Sequence, residues 1–116
     1  MKLLSYERDG RASFGALVDG GIVDLPSALG GRYATLRALL EADALAEAAA
    51  AVAGRAADFA LDAVTLLPVI PQPDKIVCVG LNYAEHVRET GRTVTETPVL
   101  FLRMPDSQVA HGQAIV

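Results

Sequence analysis

Two Asp-Gly turns, Asp9-Gly10 and Asp19-Gly20-Gly21, stand in the first 21 residues, and they restrict what the N-terminal part of this chain can become. Each follows a run rich in strand formers, Lys2–Arg8 and 12–18, and a third such run covers 22–25. A two-residue hairpin of type I′ needs positive φ at both central positions, which Asp tolerates and Gly adopts freely, and its twist matches that of the strands it joins. The pattern predicts a three-stranded antiparallel meander. Pro26 ends it, and Gly30-Gly31 breaks the chain before the next element.

Helical spacing then takes over. Thr35 is placed to cap a helix with Leu36, Leu39 and Leu40 on one side, and Asp43 to cap a second helix through the alanine-rich stretch up to Gly54. The run 47–53 has high helix propensity and almost no functional groups, so both helices are predicted to serve packing. Residues 63–67 form another strand candidate, and Pro68, Pro71 and Pro73 punctuate the exit, with a domain boundary at about 69–74.

Composition narrows the function classes. With 116 residues, 52% of them hydrophobic and 21% charged, the chain is an ordinary globular domain by length and makeup. A net charge of −4, scattered Lys and Arg, 5% aromatic residues and no Trp argue against a nucleic-acid partner. Ser5 and Glu7 interrupt the only apolar start, and no stretch approaches the roughly 18 unbroken apolar residues of a membrane span, so a cytoplasmic protein without a membrane partner is expected. The single cysteine, Cys78, allows no intrachain disulfide, which fits a reducing compartment.

The chemistry concentrates between Lys75 and Thr90, in KIVCVGLNYAEHVRET. Residues 76–79 form an unbroken apolar run that predicts a strand buried on both faces, Gly80 permits a sharp turn, and a polar helix follows. Asn82 is placed as N-cap with Glu85 three positions on, in the manner of a capping box, and Gly91 offers a stop. Tyr83, His86 and Glu89 recur at spacing three and so share one helix face. A core-facing helix would be apolar at this spacing, so the stripe needs either water or a task. One reading is a solvated His and Glu on a surface turn. The other is a dyad in which Glu89 orients and charges the His86 imidazole, whose free nitrogen takes a proton from water or substrate. Local spacing does not choose between them.

Beyond a polar loop at 91–97, Pro98 introduces a strand over 99–104 in which Val99, Phe101 and Arg103 share one face. Arg103 reads either as a charge snorkelling at the sheet rim or as an anion contact. The last stretch, 106–116, carries His111, Gly112 and Gln113.

Taken together, CVGLNYAEHVRE, then PVLFLR, then HGQ resemble the start of the catalytic domain of the fumarylacetoacetate hydrolase family, and the residues before Pro71 resemble that family's small N-terminal domain. The resemblance implies an α+β protein: a small N-terminal β-meander with two helices at 1–70, followed at 71–116 by the first strand-helix-strand of a β-rich catalytic domain. Because two strands and one short helix are marginal alone, the chain is expected to be the front part of a longer enzyme. It further implies action on 2-oxo acid or 1,3-dicarbonyl substrates, by hydrolytic C–C cleavage or by related decarboxylation or isomerisation. The cofactor implied is Mg²⁺, or Mn²⁺ or Ca²⁺, and the assembly implied is a homodimer. By the same resemblance His86 is the base, Glu89 its orienting partner, and Tyr83 and Arg103 are candidate substrate contacts. Family members often carry Lys at the position of Arg103. The family's metal ligands lie beyond the residues present here, so no metal ligand is assigned and turnover is expected of the intact parent rather than of these 116 residues alone.

Other motif readings fail on the residues themselves. G-L-N-Y after the strand lacks the second and third glycines of a dinucleotide site. His86, His111 and Cys78 have no zinc-like spacing, and Cys78 in a strand is poorly exposed as a nucleophile for a Cys-His pair. The alternative to an enzyme is a non-catalytic docking or dimerisation module.

Overall fold

The computed structural model describes residues 1–93 and 97–115, so part of the polar loop expected at 91–97, and Val116 in the last stretch, lie outside the described residues. The chain is a mixed α+β protein in two compact units, one formed by Met1–Pro71 with Val109–Val116 and the other by Gln72–Gln108.

In the first unit, β1 (Lys2–Arg8), β2 (Arg11–Val18) and β3 (Gly21–Asp24) form the predicted meander. Arg8 pairs with Arg11 and Val18 with Gly21, leaving Asp9-Gly10 and Asp19-Gly20 as two-residue loops. Their φ values are 52° and 72° in the first loop and 48° and 82° in the second, the signs a type I′ turn requires. Two further strands extend the sheet. β4 (Phe59–Ala60) pairs with β3 and β5 (Thr65–Leu67) with β1, giving the antiparallel order β4-β3-β2-β1-β5. Of the strand expected at 63–67, the first part is instead a 3₁₀ turn over Leu61–Ala63.

Three short helices, α1 (Leu25–Ala28), α2 (Leu36–Glu41) and α3 (Leu45–Val52), supply the other layer. Pro26 does not merely end the meander; it sits in the first turn of α1, where its missing N–H would have had no partner. Asp24 caps that helix by accepting from the Ser27 N–H at 3.0 Å. Thr35 caps α2 as predicted, accepting from the Ala38 N–H at 3.1 Å. Asp43 does not cap α3. It stands at φ 53° just past α2, with its N–H on the Leu40 carbonyl and the next N–H, of Ala44, on that of Leu39, so it closes one helix rather than opening the next. The core joins Phe14 and Ala16 of β2 to Leu25 and Leu29, Leu36 and Leu39, and Ala44 and Ala48 from the helical layer. The last segment belongs to this unit, and there the Gln113 side chain donates to the Leu66 carbonyl at 3.5 Å.

The second unit is a ribbon of β6 (Ile76–Gly80) and β7 (Val99–Arg103) with α4 (Ala84–Glu89) between them in sequence. The strands are antiparallel, with Ile76 opposite Arg103, Cys78 opposite Phe101 and Gly80 opposite Val99. The expectation that β6 is buried on both faces is not met. Ile76 and Cys78 are half-buried, but Val77 is 58% and its cross-strand partner Leu102 65% exposed. A two-stranded ribbon has no further layer with which to cover both sides. Among the described residues no helix is long and apolar enough to cross a membrane.

Candidate functional site at the end of the β6–β7 ribbon

β6 delivers the chain to α4 through Leu81, Asn82 and Tyr83. The sharp turn expected at Gly80 is made one residue later: Leu81 takes φ 54°, whereas Gly80 has ordinary φ and room for a Cβ, whose nearest neighbour would be Val99 Cγ1 at 3.5 Å. This shift moves the helix start. Tyr83, extended at φ −121° and ψ 129°, is the N-cap, and no side chain caps the helix. Asn82 and Glu85 therefore do not form the expected capping box; Glu85 lies in the first turn, where a carboxylate still favours the positive end of the helix. The stop at Gly91 is present in full. Gly91 has φ 66°, its N–H reaches the Arg88 carbonyl at 3.0 Å, and the Arg92 N–H reaches that of Val87 at 3.1 Å, the paired bonds of a Schellman ending.

Val87 is the buried residue of α4, whereas Tyr83, His86 and Glu89 are all exposed to solvent. His86 Nδ1 and Glu89 Oε2 are 3.8 Å apart, with side chains 57% and 76% exposed. That distance permits Coulomb attraction to an imidazolium but is too long for a hydrogen bond. Tyr83 is exposed at the start of the same face.

Arg103 is not brought to this group. It pairs with Ile76 at the far end of the ribbon, whereas α4 leaves from the Gly80–Val99 end, four residues or about 13 Å along the strand. Its guanidinium donates to the Ser107 carbonyl in the 3₁₀ turn Pro105–Ser107 that follows. Among the described residues no group of three or more His, Cys, Asp or Glu could hold a metal ion, so the described residues do not by themselves fit a Mg²⁺ site.

A second polar group, in the first unit, escaped the sequence reading. On the sheet face opposite the helical layer, an open cavity of about 710 Å³ is lined by residues including Tyr6, Arg8, Arg11, Ser13, Asp24 and Phe59. The Tyr6 hydroxyl and Ser13 Oγ both donate to Asp24 Oδ1, and Arg8 stacks 4.4 Å from the Phe59 ring centre. Burial above all, then the hydrogen bond to Asp24, pushes the Tyr6 phenol up to about 12. Residues 6, 13 and 24 have no shared local spacing; only sheet register unites them.

The family model described as Fumarylacetoacetate (FAA) hydrolase C-terminal matches residues 75–116, which include β6, α4 and β7. The chain is 34% identical over 101 residues to the mitochondrial oxaloacetate tautomerase Fahd2a of Rattus norvegicus, covering 85% of this chain and 32% of that protein. It is 48% identical over 44 residues to the mitochondrial oxaloacetate tautomerase FAHD1 of Arabidopsis thaliana, covering 38% of this chain and 20% of that one. A crystal structure from Mycobacterium smegmatis, designated HpcE, matches with a TM-score of 0.67 at 28% identity over 89% of this chain and 36% of its own. The chain thus spans about a third or less of the length of these relatives.

Proposed function

This chain belongs to the fumarylacetoacetate hydrolase family, and from that premise we propose that the full-length protein moves a proton on a 2-oxo acid or 1,3-dicarbonyl substrate, with His86 as the base. The observation that carries the reading is the exposed imidazole of His86 with Glu89 3.8 Å away, on a helix that starts where a strand ends. In this reading the carboxylate favours the imidazolium that forms when Nε2 accepts the proton, and holds the ring by attraction rather than by a hydrogen bond.

The relatives' names favour tautomerisation of oxaloacetate over the other family reactions. There His86 takes a proton from the carbon between the two carbonyls, and a proton returns on the enol oxygen, so the isomer differs only in where the proton sits. In C–C hydrolysis the same nitrogen would instead take a proton from water. Tyr83, at the start of the same face, is the nearer candidate to touch substrate; Arg103 would reach only a remote anionic group. We further propose a homodimer in the cytoplasm, with Mg²⁺, Mn²⁺ or Ca²⁺ held by residues other than those described here. No step assigned above runs through that ion, and the 116 residues alone are expected to be inactive.

The test is kinetic. With purified full-length protein, oxaloacetate, acylpyruvates and muconate-type acids are compared as substrates, and His86→Ala is expected to lower turnover of the preferred one by roughly 10²-fold. Wild-type turnover in that variant would remove His86 from the reaction. No turnover of any of these acids by the native protein would favour a docking or dimerisation module, a reading to which the exposed faces of β6 and β7 would then contribute.

A further inference from the structure

Four non-glycine residues among those described hold a positive φ: Asp9, Asp19 and Asp43 at 52°, 48° and 53°, and Leu81 at 54°. The three aspartates sit in tight turns or at a helix end, and a short polar side chain that bonds to nearby backbone makes this conformation tolerable. Leucine has no such compensation, since its Cβ crowds the following carbonyl and nothing on the side chain can bond in return. Strain of this kind persists where the surrounding structure enforces it, and it gathers at sites where direction matters.

The position of Leu81 says which direction is at stake. It is the first residue after β6 and the third before α4, which carries His86 and Glu89. Gly80 contributes no left-handed turn, and no side chain caps the start of α4. Neither a cap nor a glycine turn fixes the angle at which the helix leaves the strand, and Leu81 is the residue there with left-handed backbone. We propose that Leu81 is a positioning residue: its left-handed backbone aims α4, and through it the His86–Glu89 pair, while the bulk that makes the conformation costly also keeps the joint from rotating as glycine would. This rests on the reading of His86 as the base, and concerns the backbone of residue 81 rather than any contact its side chain makes with substrate.

Leu81→Asn and Leu81→Val separate backbone from side chain. Asparagine loses the apolar chain but adopts positive φ readily, whereas valine stays apolar and resists it because of its branched Cβ. In the full-length protein, Leu81→Asn is expected to keep kcat within about threefold of wild type and Leu81→Val to lose about tenfold or more with KM nearly unchanged, the scale of a misplaced catalytic group. A crystal structure of Leu81→Val is expected to show α4 redirected with the β6–β7 ribbon in place. If valine prevents folding, Leu81→Ala is expected to fall below Leu81→Asn in the same order. Wild-type kcat in Leu81→Val, or equal losses in the asparagine and valine variants, overturns the proposal. His86→Ala measured alongside keeps the two ideas apart: full turnover there sinks the reading of the base, whereas an undisplaced α4 in Leu81→Val sinks only the role of Leu81.

Discussion

The Tyr6 hydroxyl donates to the Asp24 carboxylate, joining β1 to the last residue of β3 across the width of β2. Asp24 Oδ2 in turn accepts from the Ser27 N–H at 3.0 Å, so one carboxylate fastens the sheet to the start of α1. Removing the hydroxyl leaves Asp24 with its bonds to Ser13 and Ser27. Tyr6→Phe is expected to lower unfolding free energy by about 1.5 kcal/mol, the scale of a hydrogen bond to a charged acceptor, as read by urea denaturation at neutral pH.

The same residue predicts a pH dependence. Its phenol is raised in the folded chain from an ordinary value of 10.0 to about 12. The unfolded chain therefore gives up this proton first as pH rises. The stability linked to Tyr6 is whole below about pH 10 and is lost progressively between pH 10 and 12. Denaturation midpoints across that interval should fall less steeply in Tyr6→Phe than in the native protein; parallel slopes would mean that the phenol is not held up.

Gly15 is required by a close approach. A Cβ there would lie 2.5 Å from the Val23 carbonyl oxygen and 2.7 Å from Ile22 Cγ2, both on the neighbouring strand. Because the nearer obstacle is backbone within a sheet, Gly15→Ala is expected to cost about 2 kcal/mol, the scale of overpacking in a core. Gly80→Ala, where the nearest atom would be 3.5 Å away, is the matched control and should cost far less by the same melts.

Gly91 ends α4 at φ 66°. Gly91→Ala is expected to cost about 1 kcal/mol, because a Cβ is disfavoured in that conformation, and to fray the turn carrying Glu89. Faster amide hydrogen exchange at Thr90 and Arg92, whose N–H groups bond to the His86 and Val87 carbonyls, would record the fraying.

Glu89 should matter less than His86. At 3.8 Å and high exposure the carboxylate attracts the imidazolium without holding it by a hydrogen bond. Glu89→Gln is expected to lower kcat in the full-length protein by less than His86→Ala does, and more at low than at high ionic strength, since salt screens an exposed charge pair. Equal losses in the two variants, independent of salt, would point to a tighter coupling in the complex with substrate.

How far such features were legible in the sequence depends on whether their causes are local. The Asp-Gly hairpins, the Thr35 cap and the Gly91 stop each follow from the conformational preference of one or two residues, and each is present. Asp43 is ambiguous in the sequence because aspartate suits a helix start and also tolerates the left-handed conformation of a helix end; the neighbouring hydrogen bonds decide for the latter. Asn82 failed as a cap for a related reason, since the left-handed residue before it moved the start of α4 one position on. The pairing of Ile22 with Phe59 joins positions far apart in the chain, and no spacing announces it. Strand alternation told which face Arg103 occupies; only register told that it lies at the end of the ribbon away from His86.

The exposed Val77, Val79, Leu100 and Leu102 on the β6–β7 ribbon also bear on laboratory handling. Among the described residues neither strand pairs with a third, so the ribbon offers edges beside these side chains onto which other chains can stack. Preparations of these 116 residues by themselves should turn cloudy as protein concentration rises, bind hydrophobic dyes while still folded, and clear when a charged residue replaces Leu100.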